Sequence, residues 1–246
     1  MDKMLYISMT GASHNTKALQ AHANNLANVS TSGFKRDFDQ ARSMPVFGDG
    51  LPARAYAMSE RPGTDFSSGS LQETGRDLDV AAVGDAWLAV QAADGSEAYV
   101  RTGSLQVDAL GMLRTASGLP VLGNAGPIAV PPEQKIEIGQ DGTISIRALG
   151  EAPSVMAEVD RLKLVLPDPK QLEKGADGLV RARDGLPCQA EANARVTSGF
   201  TEASNVNAVE EMTAMLSLSR QFELHVKMMR TAEDNSSAVA RVMQLS

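Results

Sequence analysis

The sequence predicts an α+β protein: long N- and C-terminal helices that pair with each other as a coiled-coil-like layer, with a central antiparallel β domain inserted between them. Three observations carry this. Apolar residues repeat at alternating steps of 3 and 4 near both ends of the chain, the period of a helix face. Residues 2–28 contain no Pro and only Gly11, and residues 207–243 contain neither Pro nor Gly. Between the ends the period falls to 2, in short runs separated by Asp-Gly turns.

The first helix carries the seam Leu5, Met9, Ala12, Thr16, Leu19, Ala23 and Leu26, three heptads made shallow by Thr16 and two alanines. Its only formal charges are Asp2, Lys3 and Lys17. Asn15, Gln20, Asn24 and Asn25 are therefore expected on an outer face suited to close packing on several sides. Taken alone, this end also reads as an ordinary core helix. The last helix carries Met215, Leu218, Phe222, His225, Met229, Ala232, Ser236, Val239 and Met243 over a span of ~55 Å at the helical rise. Asn207 followed by Glu210 has capping-box spacing at its start. Met212, Met215, Met228, Met229 and Met243 would either fill a core or give adaptable contacts to non-identical neighbours.

Four segments follow: a helix over 1–30, an extended arm or linker over 31–70, an antiparallel β domain over 71–200, and a helix over 201–246. Within the β domain, Trp87–Gln91 and Ala98–Arg101 flank Asp94-Gly95, and Ile136–Ile138 and Ile144–Ile146 flank Asp141-Gly142. Leu105–Val107 and Met112–Arg114 flank a turn ending in Gly111. Arg161–Leu166 alternates as one strand that stops at Pro167.

Composition excludes several function classes. Hydrophobic residues make up 43% and charged residues 22%, enough for a core and against wholesale disorder. A net charge of −7 argues against nucleic-acid binding. No apolar run reaches membrane-spanning length, and the N-terminus lacks a basic leader followed by an apolar block. The single Cys188 forms no internal disulfide and has the surroundings of an inert thiol. No catalytic constellation, metal set or cofactor motif is present. His14, His22 and His225 lack ligand spacing, and no phosphate loop or dinucleotide fingerprint occurs. Asp77 and Asp79 alternate in an expected strand and could point the same way, although paired Asp near a turn generally caps backbone.

Three motifs then resemble one family in order along nearly the whole chain. Asn24-Asn25-Leu26-Ala27-Asn28-Val29-Ser30-Thr31-Ser32-Gly33-Phe34-Lys35-Arg36 is similar to the N-terminal signature of flagellar basal-body rod and hook proteins. Gly69 to Val80, and Tyr99-Val100-Arg101-Thr102-Gly103-Ser104 through Leu113, resemble the entry into that family's β domain. Ser204-Asn205-Val206-Asn207 with Glu210-Glu211-Met212 resembles its C-terminal signature. The opening Met1–Tyr6 with Met9-Thr10-Gly11 is most like the proximal-rod members; a distal-rod member and, further off, a non-flagellar fibre or adhesin subunit are the alternatives.

The resemblance implies a structural, non-enzymatic subunit of the bacterial flagellar basal body, with no cofactor. It implies export by the flagellar type III apparatus without a cleaved signal, and residence in the rod that crosses the periplasm. Its implied partners are other proximal and distal rod proteins and copies of itself. Taken with the seams, it places the assembly interface on Leu5, Met9, Ala12, Leu19, Ala23 and Leu26 of the first helix and on Met215, Leu218, Phe222, Met229, Val239 and Met243 of the last. The signature residues Asn24, Asn25, Asn28, Gly33, Phe34, Asn205 and Asn207 complete it.

Overall fold

A computed structural model describes residues 4–38, 41–45, 55–59, 63–148 and 156–244. The chain divides into a helical unit, Met1–Val29, Arg36–Asp65 and Val206–Ser246, and a β unit, Ser30–Lys35 and Phe66–Asn205.

Two helices dominate the first unit: α1, Met4–Ala27, and α2, Ala208–Gln244. They pack antiparallel, because Gly11 lies against the His225 ring while His22, further along α1, bonds Glu211, earlier on α2. Residues Asp37–Phe38 pair with Gly63–Thr64, and Ala41–Pro45 pair with Ala55–Ser59, all antiparallel.

The expected period is present, but the inward face of α1 is turned by about one residue, or ~100°. Its buried positions are Ser8, Ala12, Asn15 and Asn25, whereas Leu5 and Met9 are exposed. This corrects the outer-face assignment of Asn15 and Asn25, which point inward; Gln20 and Asn24 do stay outside. On α2 the inward face follows Glu211, Met215, Leu218, His225, Met229 and Ala232. Beyond Ala232 every described position is exposed, including Val239 and Met243. Length explains this. With Gly11 at His225, the antiparallel run brings Met4, the first described residue of α1, level with Ala232.

The β unit is built from antiparallel sheets. One has the order Leu164–Val165, Trp87–Gln91, Glu97–Val100, Val180–Ala182, Leu172–Lys174. A second runs Leu113–Thr115, Thr102–Val107, Asp79–Ala82, Val196–Ser198, and a third Glu133–Ile138, Thr143–Ala148, Ala157–Arg161. Phe200–Glu202 pairs with Leu71–Glu73. Trp87–Gln91 is a continuous apolar run because both of its faces are covered. Leu88 joins the larger core with Leu105, Leu113 and Ile144, while Trp87 and Ala89 join a smaller one with Tyr99, Val165 and Leu172.

The Asp-Gly hairpins form as expected. Gly95 and Gly142 take φ of +82° and +84°, which other residues rarely adopt, and Asp94 and Asp141 each accept the backbone N–H two residues on. Hydrogen bonds from Ser96 and Thr143 hold these two carboxyls below the usual carboxylate range.

Two expectations need correction. Arg161–Leu166 is not one strand: Ala157–Arg161 pairs with the third sheet, Leu162 and Lys163 donate to Gly142 and Leu122, and Leu164–Val165 joins Trp87–Leu88. Asp77 and Asp79 do not share a face, since Asp77 lies exposed in a turn and Asp79 is buried.

Candidate functional site

The signature motifs converge on two buried ion clusters, one in each unit, and two consecutive residues supply a cation to each. Arg36 serves the helical unit and Lys35 the β unit.

In the helical unit Glu211 occupies the first turn of α2, where the helix dipole favours a carboxylate. It is fully buried. The Arg36 guanidinium lies with Nε 2.7 Å from Glu211 Oε1, His22 Nδ1 bonds Oε2, and Asn25 Nδ2 donates to Oε2 at 3.4 Å. Asn25 also clamps the backbone of Asp37, accepting its N–H at 2.9 Å and donating to its carbonyl at 2.8 Å. An amide is required for both at once, because a carboxylate has no donor. Arg36 further pairs with Glu210 at 3.1 Å and covers the Phe38 ring.

In the β unit Glu202 is fully buried between Lys35 Nζ at 2.6 Å and Arg101 Nε at 2.8 Å. Lys35 donates to the Ser67 carbonyl, and Arg101 donates to the Ala86 carbonyl and Ser68 Oγ. Both cations lie over the Trp87 ring, at 5.9 and 5.4 Å from its centroid. The Gly69 N–H donates to Glu202 Oε1. Two cations on one carboxylate leave an excess positive charge, which the carbonyls and the indole face offset.

The other signature residues brace these clusters. Gly33, at φ +71°, donates its N–H to the Glu202 carbonyl at 2.7 Å. The Phe34 ring lies under Lys174 Nζ at 3.8 Å. Asn205 donates to the Ser67 carbonyl and hydroxyl, and its own N–H reaches the Phe34 carbonyl. Asn28 donates to the Asn24 carbonyl and Oδ1 at the end of α1.

Asn207 Oδ1 accepts from Val209 and Glu210 N–H groups at 3.1 and 3.4 Å, an N-cap. The reciprocal half of the capping box is not made, since Glu210 pairs with Arg36 instead. Asn207→Ala is expected to cost about 1 kcal/mol of helix-start stability, while Asn207→Ser and Asn207→Asp stay near neutral. Swimming of the three strains at raised temperature, with expression matched, checks this. If Ser and Asp fail as badly as Ala, the amide makes some other contact.

Lys35, Arg36, Arg101, Glu202 and Glu211 are the site residues that sequence reasoning did not single out as anchors. Arg101 and Glu202 carried a usable signal, a charge inside an otherwise strand-like run. Among the described residues no group of three His, Cys, Asp or Glu side chains could hold a metal ion, and no helix is long and apolar enough to cross a membrane.

Buried ion pairs that tie the terminal helices to each other and, separately, the β unit to itself are the chemistry of a structural protein. Comparison with known proteins gives the family. Residues 5–35 match the flagella basal body rod protein model, 81–146 the flagellar hook protein FlgE/F/G D1 domain, and 197–242 the flagellar basal body rod FlgEFG protein C-terminal model. The flagellar basal-body rod protein FlgF of Escherichia coli is 42% identical over 252 residues, covering 100% of both chains. Its namesakes in Salmonella typhimurium and Caulobacter vibrioides are 40% and 32% identical, again over 100% of both chains. The chain belongs to the flagellar basal-body rod protein family and is FlgF-like within it. It is a structural rod subunit of the flagellar basal body, a family that is not an enzyme class.

Proposed function

We propose that the chain is a proximal-rod subunit that assembles through its terminal helices, part of the drive shaft linking the inner-membrane ring to the distal rod and hook. The observation that carries this reading is the apolar surface that the helix pair leaves uncovered. Leu5, Met9, Leu216, Leu224, Val239, Val242 and Met243 are all exposed, while the pair's buried positions include Ser8, Asn15, Asn25 and Glu211. A helix pair that leaves this much apolar surface uncovered gains its cover from neighbours.

In this reading the helical segments 1–30 and 201–246 form a coiled-coil-like layer with those of other subunits, 31–70 is the arm, and 71–200 is the β domain carried by that layer. Leu5, Met9, Leu19, Ala23, Leu26, Phe222, Val239 and Met243 supply the contacts, while Ala12, Met215, Leu218 and Met229, on the inward faces, hold the two helices of one chain together. Asn25, Gly33, Phe34 and Asn205, engaged inside their own units, act by positioning. The partners are copies of this chain, other rod proteins and, during export without a cleaved signal, the flagellar type III apparatus. Deleting the chain is expected to abolish swimming and leave basal bodies that lack distal rod and hook. A deletion strain that still builds both overturns the reading.

Because a lone helix gains stability mainly from packing, assembly and helix folding are coupled. Limited proteolysis of the isolated monomer is expected to remove roughly the first 30 and last 40 residues and spare the β unit. Resistance of both ends in a proven monomer would end the coupling idea.

A further inference from the structure

Glycine weakens a helix interior relative to alanine. Gly11 nevertheless lies inside α1, with neither positive φ nor a helix end to call for it. The reason is across the pair. A Cβ at position 11 would fall 2.7 Å from Nε2 and 3.0 Å from Nδ1 of His225, well inside van der Waals contact. The imidazole rests on bare backbone.

We propose that Gly11 and His225 form a register pin, a ring seated in a notch that only glycine leaves open, fixing which turn of α1 faces which turn of α2. This rests on the reading of the paired helices as the assembling part. Sliding α1 by one turn, about 5.4 Å, would bring Ile7 and Ser8, or His14 and Asn15, beneath the ring. Each carries a Cβ that would meet the ring where Gly11 now leaves space.

The cluster of Glu211 with His22 and Asn25 supplies a second fixed point. It lies about 16 Å along α1 from Gly11, counting to His22, at the helical rise. Two fixed points that far apart oppose both sliding and rolling. The pin thereby selects one arrangement of the outward apolar positions, Leu5 and Met9 on α1 with Leu216 and Leu224 on α2, for neighbouring subunits to meet.

The test is second-site suppression with the full chain, expressed in a strain deleted for it. Steady-state protein, recovery in purified basal bodies and swimming are measured together. Gly11→Ala is expected to lower basal-body recovery about tenfold, as overpacking of a tight contact does. His225→Ala alone, which removes the ring and leaves the notch empty, is expected to lower it about threefold, and the double variant Gly11→Ala with His225→Ala to be no worse than His225→Ala alone. Normal recovery of Gly11→Ala, or of His225→Ala, overturns the pin. So does a double variant as defective as Gly11→Ala, because the fault would then not be the ring. A deletion strain that swims overturns the rod reading instead, and the pin is still decided by whether His225→Ala restores the steady-state level lost in Gly11→Ala.

Discussion

Glu202→Ala is expected to destabilise the β unit by about 3–5 kcal/mol, the usual cost of stranding a buried charge partner. Two cations depend on this carboxylate. Lys35 and Arg101 are each only 2% exposed, so neither can turn to water when it is removed. A small domain holds about 5–15 kcal/mol in total, so the variant would lose a large share of its stability. Trp87 is the only tryptophan of the chain and lies beneath both cations, so its fluorescence in a urea titration reports the loss directly. Glu202→Gln keeps an acceptor but not the charge and should fall between. Replacing Lys35, Arg101 and Glu202 together by apolar residues of similar volume should cost less than Glu202→Ala alone. A Glu202→Ala midpoint indistinguishable from the original would mean that the cluster contributes little.

Leu218→Asp is expected to abolish swimming while leaving export intact. Leu218 lies half-buried on the inward side of α2, one step from Met215 and one from Phe222 in the 3–4 repeat. A carboxylate there, without a partner, costs several kcal/mol, on the order of a buried unpaired ion. Phe222→Asp should act in the same direction, and more weakly inside the monomer, because Phe222 is 37% exposed there. The decisive observation is exported protein, absent from basal bodies, in non-motile cells. Motile cells carrying Leu218→Asp would mean that packing of the helix pair at Leu218 is not needed for assembly.

The terminal helices and the Asp-Gly hairpins were legible in the sequence because each is set by local rules: period, caps and positive-φ glycine. The inward face of α1 was not. Apolar Leu5–Met9–Ala12 and polar Ser8–Ala12–Asn15 have the same period, and pattern reasoning selects the apolar one. The structure turns the other inward because His22, Asn25 and Glu211 satisfy one another there. The break at Leu162 was equally hidden, since alternation is the same whether a strand stays in one sheet or crosses to another. Lys35, Arg101 and Glu202 come from three distant parts of the chain, and no local pattern links them. The short strands within 37–64 leave little periodic trace, and the first of them is pinned from outside by Asn25.

The unequal lengths of the two helices have a mechanical consequence. Residues 233–244 of α2 continue past the described start of α1 for about 18 Å at the helical rise. A subunit ending flush would meet its neighbour at a butt joint, where twist is resisted only by the friction of abutting faces. In the assembly proposed above a projecting tongue would make a lap joint instead, and torque would cross it as shear spread along the overlap. In a shaft built that way, strength against twisting scales with the length of the tongue. Shortening α2 one turn at a time from its C-terminus would then weaken the shaft by degrees, before assembly itself is lost.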